Sequence, residues 1–440
     1  MKSESMKFGI IGSGIAGLSA AWMLDRAGHQ VTLFECRESL GMSLHAVDLE
    51  RDGFAAVGDV PSRMFNRHQW PNLHRLYEIL GVATEPVMSS QSFSRLGESA
   101  YLKLKNAYRP SRDLPALLNR HNRRLMTTAA KLKTAGLRDL ESGIAGELTL
   151  DSYLNQAGVS EEFKLDFLYP TLSSTVCTCS YDSLKNYPAS IILKVLRGLT
   201  SEGETLLKTK NGTRDVVRRL VSGGFEIRLG TRVQAVRQGH SDTVDLTIDL
   251  PGGGTKVERF DHVIISTQAN HARDLLTDEA SEDRKTLALF EYEDIPVIVH
   301  SDRELMPPKR SEWATFNMVS SATPKARAMC SVYMNQFHSD WDWPFSVFQT
   351  ILPIKQPRPE TVLQSAQLQR PIVNQRSHKG WAGLDQGMRQ PSRRIWLCGS
   401  YAVPGVPLLE TGVVSAARVL DALSVDSPFT SQDLASSLGG

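Results

Sequence analysis

A glycine-rich turn between an apolar strand and a helix constrains this chain more than any other feature of its sequence. Phe8–Ile11 is a short apolar run that stops at Gly12-Ser13-Gly14-Ile15-Ala16-Gly17. Apolar residues then recur at helical spacing until Gly28, and a second apolar run, Val31–Phe34, ends on an acid, Glu35. A strand, a glycine turn, a helix and a second strand in this order predict a unit that binds a dinucleotide.

The three glycines of the turn have separate expected roles. Gly12 makes the tight turn, Gly14 lets the backbone approach a pyrophosphate, and Gly17 lets the helix pack close to the strand. The phosphates then lie at a helix N-terminus, where unpaired N–H groups and the helix dipole favour negative charge. The predicted site consists of these glycines and their neighbours Ile11, Ile15 and Ala16.

Glu35 distinguishes between the possible dinucleotides. It follows Gly12 by 23 residues (35 − 12) and stands at the end of the second strand. A carboxylate at this point accepts hydrogen bonds from both hydroxyls of an adenosine ribose and repels a 2′-phosphate. The sequence therefore predicts FAD or NAD rather than NADP. Cys36, directly after the acid, and Gly41, in the following loop, belong to the predicted nucleotide site.

Composition limits the class of protein. A length of 440 residues predicts two domains that share a large core, and 50 basic against 48 acidic residues give no overall signature of nucleic-acid binding. No apolar run reaches the roughly 18 residues of a spanning helix without glycine or charge. Five cysteines, an odd number without a secretory signal, predict reduced thiols in the cytoplasm. Cys177 and Cys179 lack nearby partners for a zinc site, so no metal is predicted.

The order of elements predicts a discontinuous first domain. An amphipathic helix starting near Asn211 is followed by four extended runs, with a Pro251-Gly252-Gly253-Gly254 turn and a closing apolar run at His262–Ser266. We therefore expect an α/β fold in which a Rossmann-like FAD-binding domain, a doubly wound sheet plus a β-meander, contains an inserted α+β substrate domain. The FAD-binding domain is assigned to 1–66, 205–278 and 388–425, the substrate domain to 67–204 and 279–387, and a loosely ordered tail to 426–440.

Several local elements outside the glycine turn are also predicted. Asp48–Val57 alternates like one strand, and a helix entered through Pro71 ends at Gly81. Residues 83–204 read as mostly helical. Extended segments are expected in the substrate domain at Pro296–His300, Met329–Asn335 and Ser346–Leu352.

The C-terminal part of the chain indicates a flavin rather than NAD. Arg394–Tyr401 reads as a strand that ends near Gly399 and Ser400, and a helix follows to about Leu423. A second helix N-terminus flanked by glycines offers N–H groups to the electron-rich pyrimidine edge of a flavin. The residues assigned to this end of the FAD site are Gly399, Ser400, Leu409, Gly412 and Val413.

The chain resembles the flavin-containing amine oxidase superfamily, which includes monoamine oxidases, protoporphyrinogen oxidase and phytoene desaturases. The resemblance rests on the N-terminal turn, Phe65-Asn66, Leu80-Gly81-Val82, Asn211-Gly212-Thr213, Val263–Thr267 and Gly399…Gly412. A bacterial subgroup of NAD/FAD-binding proteins of unsettled activity is most similar, through Val299-His300-Ser301-Asp302 and Tyr333-Met334-Asn335. The resemblance implies FAD, backbone contact of Val233 with the adenine, and Leu409–Val413 beside the flavin.

Two departures from the family pattern affect this interpretation. Family members have a second glycine pair followed by arginine after the acid, whereas this chain reads Leu40-Gly41-Met42-Ser43. Amine oxidases place a lysine near the flavin on a strand of the second domain, and the similar strand here reads Pro296-Val297-Ile298-Val299-His300. The second departure weakens amine oxidation as the reaction.

The remaining candidate residues have both a functional and a structural reading. His45 and Arg63 lie on loops expected near the flavin, or are simply solvated or capping residues. His300 is a proton carrier in place of the lysine, or a core histidine with its hydrogen bonds satisfied. Tyr401 faces the flavin or packs, and Cys398 is expected in the core. No catalytic residue is assigned.

Two classes of function are compatible with these observations. One is an FAD-dependent oxidoreductase that abstracts a hydride from, or isomerises, a largely apolar small molecule, lipid or isoprenoid-like, with amine oxidation as its alternative. The other is a flavin-binding protein without turnover that acts as a partner in a pathway. Substrate identity and oligomeric state are not predicted.

A basic segment raises the question of a membrane partner. Residues 101–138 hold ten Lys or Arg and one acid, Asp113. On a helix, one face would carry Leu114, Leu117, Leu118, His121, Leu125, Ala129 and Leu132, and the opposite one Arg112, Arg120, Arg123, Arg124 and Lys131. This pattern fits a helix whose apolar face packs on its own domain. It also fits an interfacial helix that docks on anionic lipid.

Overall fold

The computed structural model describes residues 5–44, 46–106, 118–146, 148–199, 205–239, 242–321, 328–430 and 434. His45, residues 107–117 of the basic segment (among them Arg109, Arg112, Asp113, Leu114 and Leu117) and most of the tail lie outside these residues. None of the helices in the described ranges is both long enough and apolar enough to cross a membrane.

Strands and helices are numbered in chain order. The strands are β1 (Lys7–Ile11), β2 (Gln30–Phe34), β3 (Ala46–Arg51), β4 (Phe54–Asp59), β5 (Thr84–Pro86), β6 (Gln91–Arg95), β7 (Leu102–Leu104), β8 (Leu207–Thr209), β9 (Glu226–Arg228), β10 (Val233–Gln238), β11 (Val244–Asp249), β12 (Thr255–Phe260), β13 (His262–Ile265), β14 (Tyr292–His300), β15 (Phe316–Ser320), β16 (Ala328–Tyr333), β17 (Phe348–Ile351), β18 (Val362–Pro371) and β19 (Ile395–Leu397). The helices are α1 (Ile15–Arg26), α2 (Pro71–Ile79), α3 (Arg120–Glu141), α4 (Leu150–Gln156), α5 (Glu161–Phe163), α6 (Tyr169–Thr171), α7 (Tyr181–Lys185), α8 (Ala189–Leu199), α9 (Gly212–Leu220), α10 (Ala269–Leu275), α11 (Glu282–Leu287), α12 (Met334–Phe337), α13 (Gln375–Met388) and α14 (Leu409–Ala422).

The fold is mixed α/β. The first of its sheets has five parallel strands in the order β19-β13-β1-β2-β9. Its strands come from three separate stretches of the chain. β1 is central because Phe8, Ile10 and Ile11 are buried and pair with β13 on one side and β2 on the other. The predicted strand, helix, strand unit at the N-terminus is confirmed by β1, α1 and β2.

A separate antiparallel sheet, β10-β11-β12, follows β9 in the chain. Its last turn is Pro251–Gly254, where three glycines adopt positive φ angles of 95°, 101° and 82°. This sheet and the return of the chain into β13 agree with the predicted extended runs.

The larger sheet has seven strands in the order β18-β14-β17-β16-β15-β6-β7. All neighbours are antiparallel except β15 and β6. The described part of 83–204 is mostly helical, as predicted, but it also contains three short strands that the sequence did not indicate, Thr84–Pro86, β6 and β7. The early strands pair with or extend from β15, more than 200 residues later, and that pairing leaves no local signal in the sequence.

Two predictions are corrected. Asp48–Val57 is not one strand, because Asp52 and Gly53 take positive φ angles of 51° and 81° and turn the chain into the β3–β4 hairpin. The predicted tail is not all loosely ordered, because Phe429 is buried in the core that packs around α1 and α14.

Helix α3 lies within the basic segment. Asn119 caps it by accepting a hydrogen bond from the backbone N–H of His121. Leu125 and Leu132 are buried, and a Cβ atom on Gly136 would lie 2.7 Å from Cδ2 of Leu193 in α8. The apolar face of α3 therefore packs closely against the protein itself.

Candidate dinucleotide and substrate site

The glycine turn lies at the carboxyl end of β1. Gly12 has a φ of 101°, which an L side chain rarely adopts, and its N–H donates to the carbonyl of Phe34 at 2.9 Å. A Cβ atom on Gly17 would lie 2.1 Å from the carbonyl oxygen of Gly12, so α1 approaches the turn as closely as a helix can. A Cβ atom on Gly14 would have no atom within 4 Å, so the space in front of this residue is open.

Ser266 also holds the turn in place. Its hydroxyl donates to the carbonyl oxygens of Ile11 at 2.8 Å and Gly12 at 2.7 Å. Gly14 is the N-cap residue of α1, and the first helical hydrogen bond runs from Leu18 to it. The N–H groups of the first turn of α1 precede that bond and point toward the open space. The sequence did not identify Ser266, because a serine after an apolar strand carries no distinctive signal.

Glu35 is 7% exposed and organises the loop beside the turn. Its Oε2 accepts hydrogen bonds from the N–H and hydroxyl of Ser13 at 3.1 and 2.5 Å, while Oε1 accepts from the N–H of Arg37 at 3.0 Å. Ser13 in turn accepts from the N–H of Gly41 at 2.6 Å. Oε1 also accepts the thiol of Cys36 at 3.4 Å, so each oxygen has two donors, and the weaker thiol bond makes Oε1 the oxygen that a ribose hydroxyl would contact more readily.

Other predicted nucleotide residues lie around this acid. Cys36 lies at the surface, and partial desolvation of its thiol together with the negative charge of Glu35 raises the thiol pKa. The N–H of Thr231 donates to the carbonyl of Glu35 at 2.9 Å, which brings the start of β10, and with it Val233, to the same edge. Arg63 donates to the carbonyl of Met42 at 3.3 Å, so its guanidinium lies beside the Gly41 loop.

The C-terminal residues assigned to the flavin form a second loop at the same sheet edge. The N–H of Gly399 donates to Ser415 at 3.0 Å, and the hydroxyl of Ser415 donates to the carbonyl of Gly412 at 2.9 Å. These bonds connect the end of β19 to the first turns of α14. Ser400 and Leu409 are half-buried beside this connection, and Val413 is buried.

Packing explains why residue 412 is a glycine, and the sequence alone did not indicate this packing. A Cβ atom at this position would lie 2.6 Å from Cγ2 of Ile15. The glycine therefore permits the contact between α14 and α1, and close approach to a flavin remains a prediction for it.

The arrangement fits FAD. Open space in front of Gly14, a helix N-terminus pointing into it and a buried acid one strand away match the pyrophosphate and ribose of a dinucleotide. The N-terminal and C-terminal loops meet on one edge of the parallel sheet, where β13 joins β1 to β19. These residues would hold the cofactor from both of its ends.

The proton-carrier reading of His300 is wrong. This residue is fully buried, its Nδ1 accepts from the N–H of Asp302 at 3.1 Å, and its Nε2 donates to Thr350 at 2.7 Å. Burial lowers the pKa of His300 to about 4. The N–H of Ala269 donates to the hydroxyl of Tyr292 at 2.7 Å, so the other end of β14 faces the parallel sheet. His300 is eight residues further along β14, roughly 27 Å at about 3.4 Å per residue.

Tyr401 and Cys398 are packing residues. The ring of Tyr401 meets that of Phe290 edge to face, with centroids 5.1 Å apart, and burial raises the pKa of its hydroxyl well above the ordinary value. Cys398 is buried as predicted, and burial raises the pKa of its thiol to about 12.

Glu410 was missed by sequence reasoning. Its carboxylate accepts hydrogen bonds from the backbone N–H and side-chain amide of Asn72 at 3.2 and 2.7 Å, and from the N–H of Leu73 at 2.7 Å. It therefore caps the N-terminus of α2 with negative charge and connects α2 to α14. The two partners are 338 positions apart, so no local pattern announces the contact.

A surface pocket of about 620 Å³ lies elsewhere. His262 and Trp396 in its lining belong to the beginnings of β13 and β19, and Met6 directly precedes β1. Ligands of open parallel sheets bind at the carboxyl ends of the strands, so this pocket is not the dinucleotide site.

The model of the flavin containing amine oxidoreductase family matches residues 15–298, more than half of the chain. Among curated proteins, an L-amino-acid oxidase of Pseudechis australis is 45% identical over 60 residues, which are 14% of this chain and 11% of that protein. The chain thus covers only a small part of the length of such relatives.

Two solved structures share the fold across nearly the whole chain. The CLA-producing fatty acid isomerase from P. acnes has a TM-score of 0.66 at 15% identity, covering 96% of this chain and 99% of that one. Cyclohexylamine oxidase from Brevibacterium oxydans has a TM-score of 0.64 at 12% identity, covering 96% and 100%. At these identities the similarity establishes the fold alone.

Proposed function

We propose that this chain, which belongs to the flavin containing amine oxidoreductase family, is an FAD-dependent oxidoreductase that abstracts a hydride from, or isomerises, a largely apolar small molecule. FAD supplies the two-electron chemistry when bound. The glycine turn, Glu35 and the start of α14 hold and orient it. We further assign the parallel sheet and the β10–β12 meander to a Rossmann-like FAD-binding domain made of 1–66, 205–278 and 388–425, and the rest to a substrate domain of 67–204 and 279–387.

The contact between the two sheets is the observation that carries this proposal. Besides the bond from Ala269 to Tyr292, the side chain of Gln268 donates to the carbonyl of Gln369 at 3.4 Å. One end of the β14–β18 pair therefore lies against the carboxyl edge of β13, where a dinucleotide binds. Aromatic side chains, including Tyr292, Phe290 and Tyr401, enclose this junction. Aromatic side chains at this junction favour an apolar ligand.

Amine oxidation is a weaker reading of the same site. The nine residues of β14, Tyr-Glu-Asp-Ile-Pro-Val-Ile-Val-His, contain no lysine, and His300 is fully buried with a hydrogen bond at each ring nitrogen. The part shared with the L-amino-acid oxidase is short, and the structural likeness to cyclohexylamine oxidase concerns the fold.

Anaerobic absorption spectroscopy tests the proposal. We expect purified protein to be yellow with FAD that acid or heat releases, and we expect benzylamine and cyclohexylamine to leave the flavin band unchanged. Panels of unsaturated fatty acids and isoprenoids should contain compounds that bleach the band or are isomerised. Bleaching by the simple amines would favour amine oxidation instead. If no panel member reduces the flavin and no isomerised product forms, the result would favour the alternative that this is a flavin-binding protein without turnover.

We propose that contact of this protein with an anionic membrane, where it occurs, is electrostatic. Leu125 and Leu132 on the apolar face of α3 are buried and are not free to enter lipid, whereas Leu118, just before the helix, is 82% exposed. Arg120, Arg123 and Lys131 are exposed on α3, whereas Arg124 pairs with Glu162 at 2.8 Å. The exposed cations support attraction to a negatively charged surface.

A further inference from the structure

The surface pocket of about 620 Å³ lies at the amino edge of the parallel sheet, opposite the edge that carries the glycine turn. It is bounded by the last turns of α13 and α14 and by His262 and Trp396 in β13 and β19. Met388, Pro391 and Leu423 contribute apolar surface to its lining. Pockets for small organic molecules have volumes on the order of 300–1,000 Å³, so this one has room for a ligand.

Arginine dominates the charge of this pocket. The ionisable residues of its lining, besides His262, are Arg389, Arg393, Arg394, Arg418, Asp385 and Asp421. Asp385 pairs with both Arg389 and Arg418. Arg393 donates to both carboxylate oxygens of Asp283 at 3.0 Å. Three of the four arginines therefore have a close acidic partner within the protein.

Arg394 is the arginine that has no such partner. Among the described residues, the carboxylate within 4 Å of its guanidinium is that of Asp242, at 3.9 Å, and the Asp242 side chain is 82% exposed. A terminal nitrogen of Arg394 instead lies 3.1 Å from Nε2 of His262. The indole N–H of Trp396 donates to Nδ1 of the same imidazole, also at 3.1 Å. Arginine and tryptophan side chains are donors only, so His262 faces a donor at each ring nitrogen.

His262 cannot accept both of these hydrogen bonds. Burial lowers its pKa to about 4, so at pH 7 the ring is neutral and has one acceptor nitrogen. Trp396 is 4% exposed, whereas the Arg394 side chain is 28% exposed. Leaving the buried indole N–H unpaired costs more, so Nδ1 accepts from Trp396 and Nε2 carries the proton. The Nε2–H group and the guanidinium of Arg394 are then two donors that face each other without an acceptor.

We propose that Arg394 and the Nε2–H group of His262 bind the phosphate of a small organic phosphate, about the size of a mononucleotide, in this pocket. Phosphate oxygens accept from both donors and give Arg394 the close anionic partner that the protein does not supply. The organic part lies on the apolar lining. The site is on the opposite edge of the sheet from the proposed FAD site, so it does not depend on the proposed reaction.

Calorimetric titration of the FAD-loaded protein tests the site. Uridine 5′-monophosphate is compared with uridine, and phenyl phosphate with phenol, so each pair differs in the phosphate. At least one phosphate should bind about tenfold or more tightly than its partner, and more tightly than inorganic phosphate, which lacks the organic part. The proposal is overturned if neither organic phosphate binds at millimolar concentration, if the phosphate gives no preference in either pair, or if inorganic phosphate binds as tightly.

Variants assign the effect to the pocket. Arg394→Gln should abolish the preference for the phosphate while leaving the ratio of flavin to protein absorbance unchanged. Arg394→Lys keeps the charge without the guanidinium fork, should retain part of the preference, and tests the site if the glutamine variant does not fold. Arg303→Gln removes an exposed charge far from the pocket in the chain and should change nothing. An undiminished preference in folded Arg394→Gln protein would contradict the assignment.

Two further measurements locate the bound phosphate. Excess FAD should not displace it, and displacement would place it in the dinucleotide site and contradict the inference. The indole N–H resonance of Trp396, identified by its loss in Trp396→Phe, should shift during the titration because its acceptor His262 contacts the ligand. The resonance of Trp313, whose N–H donates to the carbonyl of Pro307 at 2.8 Å, should stay in place. An unchanged Trp396 resonance at saturation would also overturn the site.

Discussion

Gly412 packs so closely on Ile15 that a Cβ atom at position 412 would lie 2.6 Å from Cγ2 of Ile15, closer than two carbon atoms can approach without displacement. Gly412 is in the first turn of α14, and Ile15 opens α1 directly after the glycine turn. Two helix N-termini of the candidate FAD site are therefore positioned by one packing contact. A change in that contact should affect both ends of the cofactor site.

We expect Gly412→Ala to lower the free energy of unfolding by about 1–3 kcal/mol, because the added methyl overpacks the contact between the helices. Urea unfolding measures it. Gly224→Ala is a matched control, since a Cβ atom there meets nothing within 4 Å. Truncating Ile15 to alanine should recover part of the loss in the double variant. Additive effects of the two substitutions would show that the residues do not compete for the same space.

Glu35→Ala should weaken FAD retention by about 1–3 kcal/mol, because it removes a charged acceptor for the ribose hydroxyls. Equilibrium dialysis with added FAD measures this. Ser13→Ala is the matched control, since it removes one bond to Oε2 and leaves Oε1 in place. The Ser13 variant should retain FAD better than the Glu35 variant. Equal losses would mean that Glu35 acts through the loop and not through the ribose.

The predictable part of the site is the part built from neighbours in the chain. Gly12 and Glu35 are 23 positions apart (35 − 12), and adjacent parallel strands bring them together. Family resemblance, confirmed by the match over residues 15–298, extended this to FAD. Glu410 and Asn72 are 338 positions apart and meet only because α14 packs against α2.

The same reason explains why the short strands between residues 83 and 104 were not predicted. β6 pairs with β15, with Gln91 opposite Phe316, so the strand that β6 needs as its partner is far away in the chain. His300 illustrates a different limit. The sequence showed that residue 300 is a histidine and that it lies on a strand. Its distance from the junction of the two sheets depends on which end of β14 faces β13, and the contact of Ala269 with Tyr292 reveals that end.

Acid should destabilise the protein partly through His300. Burial lowers its folded pKa to about 4, against an ordinary 6.5, so the unfolded state binds a proton first as the pH falls. The contribution of His300 is complete above pH 6.5 and is lost progressively toward pH 4. Between pH 7.5 and 5 the loss is about 2 kcal/mol.

His300→Gln should therefore be less stable than wild type at pH 7.5 but lose less stability on acidification. Urea unfolding at both pH values gives this difference directly, and the exposed His68→Gln variant should keep the wild-type dependence. An unchanged pH dependence in folded His300→Gln protein would contradict the assignment of a neutral, buried imidazole.

Sedimentation with vesicles decides whether α3 contacts a membrane. Because Leu125 and Leu132 of its apolar face are buried, binding should require anionic lipid and decrease steeply with salt. Replacing Arg120, Arg123 and Arg124 with glutamine should reduce binding at low salt, each exposed charge contributing about 1 kcal/mol. The matched control replaces Arg237, Lys256 and Arg259, exposed cations of the β10–β12 sheet, and should bind as wild type. If wild type ignores anionic vesicles at low salt, α3 is only a solvated surface, and the substrate reaches the sheet junction from water.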